Sequence, residues 1–356
     1  MKLRKNPVLF DDTDYRSKKH TSDSWNIFGA DEAVETLREH IAKGLINRSY
    51  MFIGPRGVGK TTLAIRFAQA VFAPRTDDTT SPDFENEIAY KIESGTFGDA
   101  KFIGASAKNV AGRITAHDVR KFTHSADFTP FNSKHLFVVF EADFENERGD
   151  NATLKFLEEP PNNTTVIIIT DAPDKFPATI RSRCYDIVLR PLPKEELVSI
   201  IVDQNLVEDM DTAVEYALHA GGRYGKAISM INDPSSLMTL KVIMGDVEKY
   251  SLTAVRERLE YSNSLSKAWR NDRDTVLETI GHWERWWHDA LLLTTGATKD
   301  NIWHIPRTGE SNLTPEMAVE ALTSIQTARE NLLANVNPRL SIDQMMIDIP
   351  QLVINR

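Results

Sequence analysis

The sequence predicts an α/β core built on a parallel sheet, followed by segments that are helical throughout. The first observation is a short apolar run at residues 50–53, which leads through a glycine-rich loop into an amphipathic helix at residues 62–72. A strand, a loop and a helix in that order begin a parallel α/β unit. The second observation is a pair of unbroken β-rich apolar runs, at residues 136–140 and 166–170, typical of parallel strands covered on both faces. The third is the helical periodicity that follows residues 191–193.

The remaining elements follow from shorter patterns. The core also contains predicted helices at residues 31–41, 114–123 and 151–157, and predicted strands at 101–103 and 185–189. Three short helices follow at 194–204, 210–220 and 225–231, and a longer helical region runs from 235 to the end, broken near 296–309. We therefore divide the chain into a lead-in at 1–24, an α/β core at 25–192, a small helical domain at 193–234 and a larger helical domain at 235–356.

The composition is that of a soluble globular protein. Of 356 residues, 41% are hydrophobic and 26% are charged, with 42 Lys and Arg against 51 Asp and Glu. These values exclude a disordered activator, a collagen-like fibre and a membrane protein, and the net charge of −9 argues against nucleic-acid binding by the whole surface. A single cysteine, Cys184, excludes a disulfide framework and a multi-cysteine zinc site. No apolar run is long enough for a signal peptide or a membrane span, so the cytoplasm is the expected compartment.

Residues 54–62, Gly-Pro-Arg-Gly-Val-Gly-Lys-Thr-Thr, satisfy the phosphate-loop pattern G-x-x-x-x-G-K-[ST]. Glycines let backbone N–H groups wrap a phosphate, because bulky side chains would block that approach. The lysine would reach the outer phosphates, and the following threonine would offer its hydroxyl to Mg²⁺. A nucleotide with Mg²⁺ is therefore the expected ligand, and ATP is the candidate nucleotide that the family resemblance described below implies. The predicted binding residues are Gly54, Gly57, Gly59, Lys60, Thr61 and Thr62.

A phosphate-loop protein that hydrolyses its nucleotide also needs an acid at the end of a neighbouring strand, to hold the Mg²⁺ shell. The expected pattern is an apolar run, then Asp, then Glu; here the Asp position is occupied by Phe140. Glu141 remains as a candidate catalytic residue that polarises a water molecule. Asp143 is a candidate substitute, although a solvated turn residue is the favoured interpretation. The sequence thus predicts inefficient hydrolysis.

Three further stretches resemble a known family. They are Leu-Lys-Phe-Leu-Glu-Glu-Pro-Pro at residues 154–161, Thr-Ile-Arg-Ser-Arg-Cys at 179–184 and Leu-Leu-Ala-Asn-Val-Asn-Pro-Arg-Leu at 332–340. With the phosphate loop, they resemble the AAA+ subunits of bacterial sliding-clamp loaders over nearly the whole chain, most weakly at 73–112 and 235–310. The resemblance implies an AAA+ P-loop core, a small three-helix lid at 193–234 and an all-α collar at 235–356 that oligomerises.

The resemblance also implies roles for two residues. Arg183 matches an arginine finger that projects into the ATP site of the adjacent subunit, and Thr170 matches a sensor position on the strand beside the phosphate loop. A permanently charged, bidentate guanidinium suits a phosphoryl transition state. The alternative for Arg183 is a surface salt-bridge partner, and a threonine at a strand end is commonplace.

The chain departs from the family in two further places. Family ATPases have an arginine in a Gly-x-x-Arg-x-Ala pattern that contacts the bound phosphates, but here Gly225 occupies that position, with Lys226 and Arg223 as candidates to compensate. The family's zinc module is also absent, since its cysteines are missing, and we expect no zinc. The fold of the segment that replaces it, at about residues 74–100, is not evident from the sequence.

These features predict a clamp-loader subunit of the DNA polymerase III holoenzyme that binds ATP, has no independent ATPase activity and donates Arg183 to a neighbour. The resemblance implies as partners the ATP-hydrolysing motor subunits, the delta subunit, the sliding clamp and primed DNA, with no membrane involvement. The first alternative is a motor subunit that hydrolyses ATP through Glu141 and Asp143. The second is another AAA+ DNA remodeller, such as a helicase loader or a branch-migration motor.

An aromatic stripe in the C-terminal region has two interpretations. Trp283, Trp286 and Trp287 lie at i, i+3 and i+4, which could serve base stacking. Such a stripe at helical spacing more often belongs to a core or a subunit contact, and we predict that role. His282 and His288 flank the stripe without acids at ligand spacing, so we predict no metal site.

Overall fold

The computed structural model of the chain describes residues 24–104, 135–141, 156, 158–161, 163–296 and 311–353. The helix predicted at 114–123, all but Phe156 of the one predicted at 151–157, and Asp143 lie outside these residues. The chain splits into two compact units. The first comprises the described residues up to Leu206 together with Gly222–Lys226, and the second comprises Val207–Gly221 with the described residues from Ala227 onward. The four-part domain division stays a prediction.

A five-stranded parallel sheet forms the centre of the first unit. Its strands are β1 (Ser49–Ile53), β2 (Ala100–Gly104), β3 (Leu136–Glu141), β4 (Thr164–Thr170) and β5 (Tyr185–Val188). They lie in the order β2-β3-β4-β1-β5, and every neighbouring pair is parallel. The predicted fold class, an α/β P-loop core on a parallel sheet followed by helices, is confirmed. Since β1 lies between β4 and β5, the loop that follows β1 begins inside the sheet and not at its edge.

Among the described residues of the first unit, five helices accompany this sheet. They are α1 (Asp31–Ala42), α2 (Lys60–Phe72), α3 (Glu87–Glu93), α4 (Ala178–Arg181) and α5 (Lys194–Asp203), with one 3₁₀ turn at Pro173–Lys175. The sequence did not predict α3. This helix has seven residues and buries only Ala89 and Ile92, so it produces no clear period; Asn86 caps it by accepting from the Ile88 N–H at 2.9 Å.

The two faces of the sheet pack into separate cores, because successive side chains of a strand point to opposite faces. Phe137 and Val139 of β3 lie in a core with Phe67 of α2, whereas Val138 and Phe140 lie in a second core with Ile180 of α4. Every residue of β4 is buried. Burial on both faces explains the unbroken apolar runs from which these strands were predicted.

The second unit is helical. Its helices are α6 (Met210–Ala220), most of α7 (Tyr224–Asn232), α8 (Pro234–Leu252), α9 (Val255–Ala268), α10 (Arg273–Thr294), α11 (Pro315–Leu333) and α12 (Pro338–Asp348). Trp283, Trp286 and Trp287 of α10 are 0%, 3% and 0% exposed and pack in one hydrophobic core. The prediction that this stripe belongs to the core is confirmed. Among the described residues, no helix combines the length and apolarity needed to cross a membrane.

Candidate nucleotide-binding site

The phosphate loop is held between the ends of two neighbouring strands. Gly54 N–H donates to the Thr170 carbonyl at the end of β4 at 3.2 Å, and Leu189 N–H, just beyond β5, donates to the Ile53 carbonyl at 2.8 Å. Thr170 is 4% exposed, and its Oγ1 accepts from the Ala172 N–H at 3.0 Å. Thr170 therefore lies beside the phosphate loop, and its hydroxyl also orders the turn that follows β4.

The glycines of the loop are required by its backbone. Gly54, Gly57 and Gly59 have φ values of 156°, 83° and 110°, where side chains are rarely tolerated. A Cβ at Gly54 would lie 2.4 Å from the carbonyl oxygen of Leu189, so no side chain fits there. Gly59, in the left-handed region, directly precedes α2 and turns the chain into the helix. The spacing of the motif thus reflects the conformation of the loop.

Lys60 places a buried cation at this loop. It is the first residue of α2 and only 8% exposed, and its ammonium donates to the carbonyls of Gly54 and, at 3.0 Å, Pro55. No side chain caps the N-terminus of α2, and its first turn contains no acidic residue. The exposed N–H groups and the helix dipole therefore add positive potential. This electrostatic environment favours an anion.

A second segment of the first unit reaches the loop from far along the sequence. The Gly225 N–H donates to the Gly57 carbonyl at 2.9 Å. A Cβ at Gly57 would lie 3.3 Å from both the backbone nitrogen and the Cβ of Lys226, so Lys226 adjoins the loop. The backbone carbonyl of Arg223 accepts from the Lys226 N–H at 3.0 Å. Next to them, the ring of Tyr224 packs against that of Phe28, with centroids 5.0 Å apart. In the sequence, Gly225 was notable only because it occupies the position of the family's arginine. Its contact with the loop could not be predicted, because a hydrogen bond between main-chain atoms produces no sequence motif.

The end of β3 and the phosphate loop lie at the same end of the sheet, where the carboxyl ends of the parallel strands meet, and β4 lies between β3 and β1. Phe140 is 2% exposed, pairs in register with Ile103 and Ile168, and has its ring 6.0 Å from that of Phe156. Glu141 ends the strand opposite Ile169. The buried, apolar ring of Phe140 offers no oxygen to a magnesium shell. Residues 54–61 therefore fit the phosphates of a nucleotide, but position 140 does not fit the metal that accompanies hydrolysis.

Arg183 lies on the surface, just after α4. Its Nη1 donates to the Thr179 carbonyl at 2.7 Å, and among the described residues it makes no ion pair. Arg181, two residues earlier, instead pairs with Asp174 at 2.8 Å. The half-buried Cys184 is a poor nucleophile, since burial raises the pKa of its thiol to about 11. Of the two arginines in this motif, Arg181 has an ion-pair partner and Arg183 has none among the residues that the structure describes.

Sequence comparison finds a matching family and several curated relatives. Residues 29–193 match the family described as "DNA polymerase III, delta subunit". The tau/gamma subunit of DNA polymerase III from Haemophilus influenzae is 29% identical over 226 residues, which cover 62% of this chain and 31% of that protein. The tau subunit from Escherichia coli is 27% identical over 247 residues, or 68% of this chain and 36% of that protein. The chain spans about a third of the length of these curated relatives.

The structural comparison is weaker. A DNA polymerase III gamma subunit-related protein from Thermotoga maritima aligns with 88% of this chain and 97% of its own, at 18% identity and a TM-score of 0.39. This similarity is too low to support an argument. The sequence comparisons support one statement: residues 29–193, which lie in the first unit, resemble the DNA polymerase III delta-subunit family, and the chain is similar in sequence to tau and gamma subunits of that polymerase.

Proposed function

We propose that this chain is a delta prime-type subunit of a bacterial clamp loader, the part of DNA polymerase III that helps load the sliding clamp onto primed DNA. In this role it binds ATP at residues 54–61, hydrolyses it inefficiently and donates Arg183 to the ATP site of a neighbouring subunit. The domain match at residues 29–193 and the tau and gamma relatives support the general assignment.

The buried ring of Phe140 is the observation that favours binding without turnover. Efficient phosphoryl transfer requires an acid at this strand end to hold the metal shell. Phe140 is 2% exposed in an apolar core and cannot supply it. Glu141 alone could polarise a water molecule but would act without that support. When ATP is bound, Mg²⁺ would supply charge neutralisation, and this chain's own contribution would be the loop glycines, Lys60, Thr61 and the first turn of α2.

The exposed guanidinium of Arg183 supports the second part of the proposal. It makes no ion pair among the described residues, so its charge is available to a partner. A guanidinium binds two phosphate oxygens at once and stays protonated, which suits the charge that develops during phosphoryl transfer. The proposed partners are the motor subunits, the delta subunit, the sliding clamp and primed DNA, in the cytoplasm.

A motor subunit is the second candidate function, and a specific observation favours it: the curated relatives are tau and gamma subunits. The intact loop geometry agrees with this candidate, whereas Phe140 and Gly225 oppose it. A different AAA+ remodeller would form a closed homohexamer, but a clamp-loader subunit joins a ring of motor subunits. Sedimentation of the purified chain alone, and then mixed with a motor subunit, distinguishes these two assemblies.

The deciding experiment is the DNA-stimulated ATPase rate of the reconstituted clamp loader. Lys60→Ala and Arg183→Ala are compared with wild type, and Arg181→Ala is the matched control on the same turn. We expect Arg183→Ala to lower the rate several-fold, because a finger stabilises the transition state of its site, and the other two variants to change it little. If Lys60→Ala lowers the rate as much as Arg183→Ala, the chain is itself a motor and the proposal is wrong.

A further inference from the structure

The hydrogen bond between Gly225 and Gly57 joins two stretches of main chain that the sequence does not connect. The Gly225 N–H donates to the Gly57 carbonyl at 2.9 Å. We infer that Gly225 is a positioning residue for the phosphate loop: its N–H holds the Gly57 carbonyl outward, so that the loop's own amides face the bound phosphates. This inference rests on the proposed binding of a nucleotide at residues 54–61.

Peptide geometry explains how this contact acts. The C=O of Gly57 and the N–H of Val58 belong to one peptide unit and point in opposite directions, since the peptide is trans. Holding the carbonyl on Gly225 therefore directs the Val58 N–H to the other side, where it meets the Pro55 carbonyl at a long 3.4 Å. A phosphate oxygen would be a stronger acceptor than this carbonyl. Because Gly57 itself has no side chain to restrict its torsions, a contact from outside the loop is needed to fix this peptide.

The residue at 225 must be glycine for the contact to form as it does. A Cβ there would lie 2.9 Å from the Gly57 oxygen, which is closer than a carbon and a carbonyl oxygen approach without displacement. The segment cannot simply retreat, because the Leu192 N–H donates to the Gly222 carbonyl at 2.8 Å and Tyr224 packs on Phe28. A side chain at 225 would therefore displace the loop. Even an arginine, whose charge attracts phosphate, is expected to weaken binding here.

The test compares Gly225→Ala with Gly245→Ala in the full-length chain. Gly245, in α8, has nothing within 4 Å of an added Cβ, so this control adds the same methyl group at an open helical position. Affinity is measured with a fluorescent ATP analogue and by competition with inorganic pyrophosphate, which probes the loop alone. We expect Gly225→Ala to weaken both ligands by the same factor, about tenfold, and Gly245→Ala to match wild type.

Hydrogen exchange of the wild-type chain gives a second readout that does not depend on a variant. If the contact positions the loop for phosphate, then by reciprocity bound ATP must strengthen it, and exchange of the Gly225 amide must slow. Equal ligand affinities of Gly225→Ala and Gly245→Ala would overturn the inference. A Gly225→Ala variant that loses ATP binding but keeps its pyrophosphate affinity would also overturn it, and so would a Gly225 amide whose exchange rate does not change when ATP binds. A wild-type chain that binds neither ligand would instead overturn the proposed nucleotide binding itself.

Discussion

Arg258 shows how a single buried cation organises the ends of helices. Its side chain is 1% exposed, and burial lowers the pKa of its guanidinium. The last carbonyls of a helix have no partner within the helix, and here the fork of Arg258 satisfies such groups near the ends of α8 and α12. The accepting carbonyls are those of Ser251, Thr253, Met346, Ile349 and Pro350.

Replacing this residue should therefore destabilise the second unit. We expect Arg258→Ala to lower the free energy of unfolding of the second unit by about 3 kcal/mol, because it leaves several buried carbonyls without donors. Arg258→Lys should recover little of the loss, since an ammonium lacks the planar fork. Urea denaturation followed by circular dichroism measures both variants. Arg256→Ala, on the exposed face of the same helix, is the control and should stay within about 0.5 kcal/mol of wild type; an equal loss in this control would refute the assignment.

Individual residues of the candidate phosphate site also show what could and could not be predicted from the sequence. Gly54, Gly59 and Lys60 were found because the phosphate loop is contiguous and its backbone demands glycine at fixed spacing. Gly225 was noticed only for the side chain that it lacks. Its role depends on a main-chain hydrogen bond to a distant stretch of the chain. Such a bond produces no recognisable pattern of residue types in the sequence.

At the scale of elements, the segment between α2 and α3 is anchored by hydrogen bonds around one carboxylate. Asp78 accepts from the Thr80 backbone N–H, the hydroxyls of Thr80 and Ser81, and the guanidinium of Arg38 at 3.0 Å. The indole N–H of Trp25 donates to the Thr80 carbonyl at 3.0 Å. This is the stretch where the family resemblance is weakest. These contacts give it a defined structure through polar groups supplied by Trp25, by Arg38 of α1 and by the segment itself.

The anchoring should depend on pH in a defined direction. The hydroxyls of Ser81 and Thr80 are the main reason that the pKa of Asp78 falls to about 2, below the roughly 3.9 of an unfolded Asp. The stabilisation is therefore complete above about pH 4 and is lost as the pH falls toward 2. We expect Asp78→Ala to lower the free energy of unfolding of the first unit by about 1 kcal/mol at pH 7. The difference in this free energy between the variant and wild type should narrow between pH 4 and pH 3. Urea denaturation at each pH measures it.

The matched control for this prediction is Asp77→Ala. Asp77 is exposed, and among the described residues its one ion pair is with Arg75, at 2.7 Å. Exposed pairs contribute little to stability. We expect this variant to stay close to wild type in stability at every pH, because the Arg75 side chain, which lowers the pKa of Asp77, forms a solvent-exposed pair with it. If the difference in free energy of unfolding between Asp78→Ala and wild type stays constant from pH 7 to pH 3, ionisation of Asp78 does not stabilise the segment.

Some elements are easier to predict from the sequence than others, because they bury more apolar side chains. Strands β3 and β4 were predicted because burial on both faces demands an unbroken apolar run. The helix α3 was not, because two buried residues in a polar segment produce no period. Long helices such as α10 are visible by their repeated buried positions, which include the three tryptophans. An element is thus easier to predict from the sequence when it buries more apolar surface, and short, capped elements are the ones that are missed.

At the scale of the whole molecule, the chain contains two compact units with separate hydrophobic cores. Chains of this kind often unfold in more than one step, so a single free energy of unfolding does not describe them. Every residue assigned to the phosphate site, from Gly54 to Thr61 together with Gly225, belongs to the first unit. A ligand stabilises only the part of the protein whose unfolding destroys its site. Stability gained from a nucleotide should therefore be confined to the first unit.

Saturating ATP should slow hydrogen exchange in the first unit and leave the second unchanged. At 100 times its Kd a ligand adds about 2.7 kcal/mol to the stability of the unit that binds it, so peptides of β1, α2 and β4 that exchange through unfolding should slow by up to roughly 100-fold. Peptides of α10, α11 and α12 should keep their rates. Mass spectrometry resolves both sets of peptides in one experiment. The control is Lys60→Ala, which removes the buried cation of the loop, and in this variant ATP should not slow exchange in either set. Equal slowing in α10–α12 would mean that the two cores unfold as one cooperative structure, and the phosphate loop would then govern the stability of the entire chain.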